Sequence, residues 1–362
     1  MSSPWLPAAD LWWNRLRPGW FIQLSPLSEH AQLEAYHYIF PLLSEQESKI
    51  CVILPMYSLT RRCILCFIKS LIVVSPGRPY IQSKLKKRGV IVERSLPWWV
   101  RATLLFIAIQ AFDFLRALIW PDMITALEPW QATPLNARFI AALYLATGIG
   151  VLLAGLARNF LQARIMLIAI GIATTVILFV SLFRLFTYPH EFSPFPYLWF
   201  SIYFIDPLLI GVGLWYIQKT ALPLVPSTTR NDNIFAPLWV VGAIILAAIG
   251  LPMLLLPGQA MQVWPWSVTE PLAQIYGAFF FALAILSVLS LRERSWEAVR
   301  ISALVLMSLG VFVVFISLLH LDRFKSPLET LIWFGFFAAE ALCFGVLVLL
   351  HQVRPLVKGA IS

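Results

Sequence analysis

The chain has 362 residues, 60% of them hydrophobic and only 12% charged, with a mean hydropathy of +0.80. An ordinary soluble domain is about a quarter charged, so a single water-soluble core cannot absorb this much apolar surface and lipid is the alternative solvent. The net charge of +9 would point to nucleic acid in a soluble protein. Here the basic residues flank apolar runs, where they set orientation in a bilayer, and no nucleic-acid partner is expected.

Residues 1–96 differ in character from the rest. Trp5, Trp12, Trp13 and Trp20 are scattered, Glu and Ser cluster near Glu45–Ser48, and no clean hydrophobic period emerges. Ile50–Val74 is apolar on average but carries Pro55, Arg61, Arg62 and Lys69. A charge at the centre of a spanning helix costs about 2.5–3.5 kcal/mol on insertion scales, so this run is not expected to span. It suits an interfacial helix instead. Met1 is not followed by the charged, apolar and small-residue pattern of a signal peptide. Of the cysteines Cys51, Cys63, Cys66 and Cys343, the pair Cys63-Ile-Leu-Cys66 has the C-x-x-C spacing but no second pair or nearby His. It therefore carries no redox or metal reading. We expect 1–96 to be a poorly structured cytoplasmic segment, and the change of character near Val90 suggests that part of it is not native coding sequence.

A basic run, Lys84, Lys86, Lys87, Arg88 and Arg94, then precedes eight candidate spans at about 98–120, 138–157, 165–187, 197–218, 235–256, 271–291, 299–320 and 329–351. About 20 apolar residues cross the hydrocarbon core as a helix, and helices satisfy every backbone polar group there. Trp98, Trp99, Trp120, Trp130, Trp264 and Trp266 fall at span ends, where indole rings favour the headgroup level. Arg158, Arg164, Lys219, Arg230, Arg292, Arg294, Arg300, Arg354 and Lys358 gather on one side. Arg138, Arg184, Arg323 and Lys325 lie near span ends on the other. The asymmetry places both termini in the cytoplasm.

The joint Pro121–Trp130 (PDMITALEPW) returns as Pro257–Trp266 (PGQAMQVWPW), with Pro121/Pro257, Pro129/Pro265 and Trp130/Trp266 each 136 residues apart. Thr133-Pro134-Leu135 answers Thr269-Glu270-Pro271-Leu272 with one residue inserted. Arg158/Arg294, Arg164/Arg300 and Ser181-Leu182/Ser317-Leu318 keep the offset of 136. Trp199-Phe200/Trp333-Phe334, Gly211/Gly345 and Gln218/Gln352 follow at 134. Shared Pro, Trp, Arg and Gln at nearly constant spacing indicate a tandem duplication. Four helices per unit return the chain to its starting side, so the units are parallel, related by an axis along the membrane normal. The expected fold class is all-α, an integral membrane helical bundle of eight spans in two parallel four-helix repeats, 97–233 and 234–353, with a cytoplasmic tail at 354–362.

The unit, carried by Trp264-Pro265-Trp266, Thr269-Glu270-Pro271-Leu272, Leu319-His320-Leu321-Asp322-Arg323-Phe324 and Trp333, resembles small bacterial four-helix integral membrane proteins of no established function. The resemblance covers about residues 98–352, and the first unit departs from it with Arg184 where the second has His320. It implies the bacterial cytoplasmic membrane and says nothing about chemistry.

Ionisable residues inside spans are functional candidates because lipid makes them costly. Asp206 and Glu340 lie mid-span at equivalent positions, 134 residues apart, and suit either a proton or cation site or a pair of protonated carboxyls bonding neighbouring helices. Pro207 follows Asp206, removes a backbone donor and is expected to bend that helix. Asp113 and Arg116 share a helical face and should pair locally. Arg184 and His320 sit near outer helix ends, suited to lipid phosphate or to snorkelling. The histidines His30, His37, His190, His320 and His351 offer no facing pair for haem, and no P-loop, dinucleotide-binding, H-E-x-x-H or G-x-S-x-G motif occurs. No cofactor or metal is therefore expected. Small-residue stripes at Ala142, Ala146, Gly150 and Ala154, at Ala278 and Ala282, and at Gly335 and Ala339 suit close helix packing. The reading is a multi-pass membrane protein with a non-enzymatic, structural or accessory role, with partner or oligomer left open. The alternative is a small-solute or proton-coupled transporter using the two carboxylates, and a membrane redox subunit stands behind both.

Overall fold

The computed structural model describes residues 95–121, 132–158, 160–187, 197–220, 235–293 and 295–361, with side chains followed to His351. They belong to one compact unit, Cys66–Ser362. The readings of residues 1–94, of the first joint at 122–130 and of His190 lie outside the described residues.

The described chain is helical: α1 Trp98–Asp113, α2 Leu115–Ile119, α3 Pro134–Gly155, α4 Phe160–Thr187, α5 Tyr197–Thr220, α6 Ala236–Leu255, α7 Pro257–Val263, α8 Glu270–Arg292, α9 Trp296–Leu318 and α10 Pro327–Ile361. Eight spans among the described residues are long and apolar enough to cross a membrane, with α1 and α2 together forming the first, Trp98–Ile119. The protein is an all-α multi-pass membrane bundle. Span starts carry local signals. Thr133 caps α3 by accepting from the Asn136 N–H at 3.4 Å, with Pro134 in the first turn, where a missing N–H costs nothing. At the start of α8 Thr269 holds the N-cap position without a side-chain cap bond, Pro271 lies in the first turn, and Glu270 adds a carboxylate there, where the helix dipole favours it. Pro207 lies inside α5, which continues through it. Without an N–H on Pro207, the Tyr203 carbonyl lacks its i+4 donor. The stretch 354–361, expected as a tail, continues α10.

Burial orders the spans. The share of each span's most apolar stretch buried within the protein runs 28, 72, 83 and 33%, then 28, 72, 61 and 33%. The second and third spans of each half are thus inside, and the first and fourth face outward. Within the halves α3 packs on α1 and α8 on α6, while α4 packs on α5 and α9 on α10. Across the middle α3 packs on α9, α8 on α4, and α4 on α9. Moving every helix four spans along maps these pairs onto one another, whereas the contact between α1 and α5 has no counterpart of similar extent between α6 and α10. Individual bonds follow the same mapping. Trp199 donates its indole N–H to Ser181 Oγ at 3.0 Å, and Trp333 donates to Ser317 Oγ at 2.9 Å. Arg184 meets Gln274 at 2.8 Å, and at the equivalent positions His320 meets Arg138 at 2.8 Å.

Small residues decide how closely the helices approach. A Cβ on Gly150 of α3 would lie 2.3 Å from Val305 of α9 and 2.8 Å from Met166 of α4. A Cβ on Gly250 of α6 would lie 2.6 Å from the backbone N of Phe281 on α8, and one on Gly277 of α8 would lie 2.7 Å from the backbone N of Leu254. The stripe expected to pack on the eighth span does not: Gly335 and Ala339 are exposed, with nothing within 4 Å of a Cβ at Gly335. That contact is made from the other helix, where a Cβ on Gly310 of α9 would meet the Phe337 carbonyl at 2.5 Å. A four-residue period identifies a smooth face without saying which way it turns.

The Trp264-Pro265-Trp266 joint also departs from expectation. Trp264 and Trp266 are buried, not interfacial, packed edge-on against Phe139 of α3 and Trp333 of α10. Asn136 explains why. Its side-chain oxygen accepts from Trp266 Nε1 at 2.8 Å and from the Tyr276 hydroxyl at 3.1 Å, while its Nδ2 donates to the Ser267 carbonyl at 3.2 Å. The second joint therefore folds back over the first half.

Substitutions separate packing glycines from exposed ones. Gly250→Val should lower stability in detergent by about 1–3 kcal/mol, the usual cost of overpacking, because the obstruction is backbone. Gly335→Val should be close to neutral. Thermal unfolding of the purified variants checks both.

Candidate functional site

A cavity of about 330 Å³ lies in the first half, bounded by α1, α3, α4 and α5 with Phe279 of α8 closing it. Phe114 lies at its edge. At Phe114 the first span breaks between α1 and α2, and the ring stacks on Tyr144 of α3 with centroids 3.7 Å apart.

Asp206 lines this cavity from α5. It is 2% exposed, and its Oδ1 has no hydrogen-bond partner. Gln110 of α1 also lines the cavity, its buried side-chain amide being the polar neighbour of Asp206, although Nε2 makes no bond of good geometry. Most other polar groups here are committed. Thr147 and Thr174 donate to the Leu143 and Ile170 carbonyls at 2.8 and 2.9 Å, and the hydroxyls of Tyr144 and Tyr203 bond to each other. Asp113 and Arg116 form the expected local ion pair at the rim, with each side chain half-exposed. Such a pair contributes little to stability but leaves the rim with no net charge. The lining residues Ile109 and Leu198 are exposed, so the cavity opens sideways between α1 and α5, toward lipid.

Glu340 does not join Asp206. It is buried on α10, does not line the cavity, and neither carboxyl oxygen has a hydrogen-bond partner. It lies between Phe337 and Ala341, at the level where Gly310 of α9 comes against α10. The interhelical hydrogen bond of the structural reading is therefore not formed at Glu340, and a site shared by the two carboxylates is not formed either.

Arg184 and His320 are engaged with protein rather than lipid. Arg184 is 3% exposed and donates to Gln274 at 2.8 Å and to Glu270 Oε2 at 2.9 Å. Facing the opposite half, it neither snorkels nor offers its guanidinium to phosphate. His320 Nε2 lies 2.8 Å from Arg138 Nη1, a contact that a neutral imidazole makes as acceptor. Partial burial, then the Arg138 charge, hold the His320 imidazole below its ordinary value, with Asp322 opposing and Arg323 reinforcing. His351 is at the other end of the bundle, stacked on Trp296 at 4.0 Å. Among the described residues no three His, Cys, Asp or Glu side chains gather as a metal-binding group. Cys343 is a free, exposed thiol on α10.

Gln110, Tyr144, Tyr203 and Asn136 were not singled out by sequence. Gln110 had a usable signal, a polar residue inside an apolar run. The tyrosines and Asn136 become polar determinants only through partners distant in the chain. No protein-family model matches the chain, and neither a curated protein nor a solved structure shows significant similarity to it.

The His320 contact has a pH signature. A histidine whose folded value lies below its unfolded value of about 6.5 is protonated more readily in the unfolded chain. Its contribution is therefore complete above that value and is lost as pH falls below it. Thermal stability should drop between pH 8 and pH 5.5, and His320→Gln should reduce the drop. An identical drop in wild type and variant would assign the acid sensitivity elsewhere.

Proposed function

We propose that this multi-pass membrane protein binds a small, largely apolar solute in the cavity of its first half, as a carrier or a solute-responsive subunit, and that the second half is a closed structural counterpart. The observation that carries the reading is Asp206: buried, unpartnered at Oδ1, and lining a cavity open to one side. A carboxyl in an apolar bundle is costly to leave without a partner, and a solute is a partner that packing does not supply. The cavity volume is near the lower end of the range of small-molecule pockets, on the order of 300–1,000 Å³. The structural role is favoured for the second half, where Glu340 stands beside the tight α9–α10 contact.

The architecture belongs to the same reading. A tandem duplication with parallel units is supported by the repeated burial order, by the Trp199–Ser181 and Trp333–Ser317 bonds, and by the Arg184–Gln274 and His320–Arg138 contacts at equivalent positions. The basic asymmetry supports cytoplasmic termini in a bacterial inner membrane.

Two experiments test these statements. Small aromatic solutes should quench tryptophan fluorescence of the purified protein saturably, and Ala173→Phe, which fills the cavity, should abolish the effect. Equal quenching in both, or none in either, contradicts the binding reading. For orientation, Gln259→Cys and Asp322→Cys should react with an impermeant maleimide on intact cells, and Glu297→Cys only after permeabilisation. The reverse pattern inverts the topology.

A further inference from the structure

We infer that the ligand class of the first-half cavity is a protonated lipophilic amine, a monocation with N–H donors on a compact apolar or aromatic body. This inference rests on the solute-binding reading above and adds the chemistry of the ligand.

Charge selects the sign. The cavity is lined by the ionisable residues Asp113, Arg116 and Asp206, apart from tyrosines. Asp113 and Arg116 bond to each other at the rim and cancel. Asp206 is left as the single ionisable group without a charged partner, deep in the wall and 2% exposed. A carboxylate there is balanced by one positive charge, and an anionic solute would meet an uncompensated like charge in a medium where repulsion is strong.

Hydrogen bonding selects a donor. Asp206 Oδ1 has no donor, and Pro207 deprives the Tyr203 carbonyl, one helical turn back, of its i+4 N–H. Asp206 Oδ1 is thus an acceptor at the cavity wall with unmet capacity, one helical turn from a carbonyl that has lost its helical donor. An ammonium group carries N–H donors and no acceptor. The Gln110 amide, the polar neighbour of Asp206, supplies a donor for the second carboxylate oxygen.

The walls select the rest. Phe114, Tyr144, Phe279, Tyr203 and Trp199 all line the cavity. Tyr144 meets Phe279 edge-on at 4.9 Å, and Trp199 lies 4.6 Å from Tyr203. The tyrosine hydroxyls bond to each other, and the Trp199 N–H goes to Ser181. These aromatics therefore offer ring surface, which attracts cations through its quadrupole. The lateral opening past Ile109 and Leu198 admits a molecule already partitioned into the bilayer, as a lipophilic amine is. The second half lacks this combination: Leu246 stands at the position of Gln110, and Ile249 and Pro252 replace Asp113 and Arg116.

The test uses the full chain in nanodiscs of zwitterionic lipid, with three probes of similar shape: phenethylamine as the cation, propylbenzene as the neutral body and 3-phenylpropionate as the anion. Binding is read by tryptophan quenching and confirmed calorimetrically. The amine should bind at least about tenfold more tightly than propylbenzene, as expected of a desolvated cation among aromatic rings, and the anion should not bind. Asp206→Asn should equalise amine and propylbenzene, and Asp206→Glu should keep the preference. Equal binding of amine and propylbenzene to wild type, or a preference that survives in Asp206→Asn, overturns the cation assignment while leaving the binding reading intact. Failure of all three probes to bind overturns both. The wild-type comparison decides the matter even if Asp206→Asn does not fold.

Discussion

Everything in this bundle depends on how closely four inner helices, α3, α4, α8 and α9, can approach one another. Lipid tails are as apolar as leucine, so no hydrophobic force drives helix against helix within a bilayer. Close packing and a few polar bonds must hold them. Gly150 shows the constraint at one point, since there is no space beside it for even a methyl group between Val305 and Met166. Asn136 shows the polar counterpart. Its amide ties Trp266, Tyr276 and the Ser267 carbonyl together, anchoring the second joint on the first half. At the same end Arg184 reaches α8 and Arg138 reaches His320.

The functional asymmetry arises where corresponding positions differ. In the second half Gly250 and Gly277 bring α6 and α8 into backbone contact. In the first, Phe114 breaks the span and stacks on Tyr144, and a cavity containing Asp206 lies alongside. A pair of similar units can diverge in this way at little cost to the fold. The second half is packed at Gly250 and Gly277, and the first holds a cavity beside Phe114 and Tyr144. The two mid-span carboxyls accordingly meet different surroundings, Asp206 at a cavity wall and Glu340 beside a tight helix contact.

Much of this was legible in the sequence. Each of the eight spans falls within a few residues of its hydropathy run, because length and apolarity are what a bilayer selects. The Asp113–Arg116 pair follows from a three-residue spacing on one helix. What stayed hidden depends on direction. Trp264 and Trp266 have the composition of interfacial anchors, yet Asn136 bonds Trp266 inside the bundle and Trp264 packs among the rings of Phe139, Trp266 and Trp333. Arg184 resembles a snorkelling residue until Glu270 and Gln274 are seen beside it. The Gly335–Ala339 stripe has packing spacing but faces outward, while Gly310, with no stripe around it, makes the contact. The cavity was invisible because its walls come from helices distant in the chain.

The central claim is that the two halves face the same way and meet through corresponding contacts. The direct measurement is crosslinking in a cysteine-free background, in sealed vesicles of one orientation. One variant carries Arg138→Cys with His320→Cys, and the other carries Arg184→Cys with Gln274→Cys. A short, membrane-impermeant bifunctional thiol reagent is applied from one side and then, in inverted vesicles, from the other. Both pairs should crosslink, and both from the same side. Reaction of the two pairs from opposite sides, or of only one pair from either side, would contradict the account.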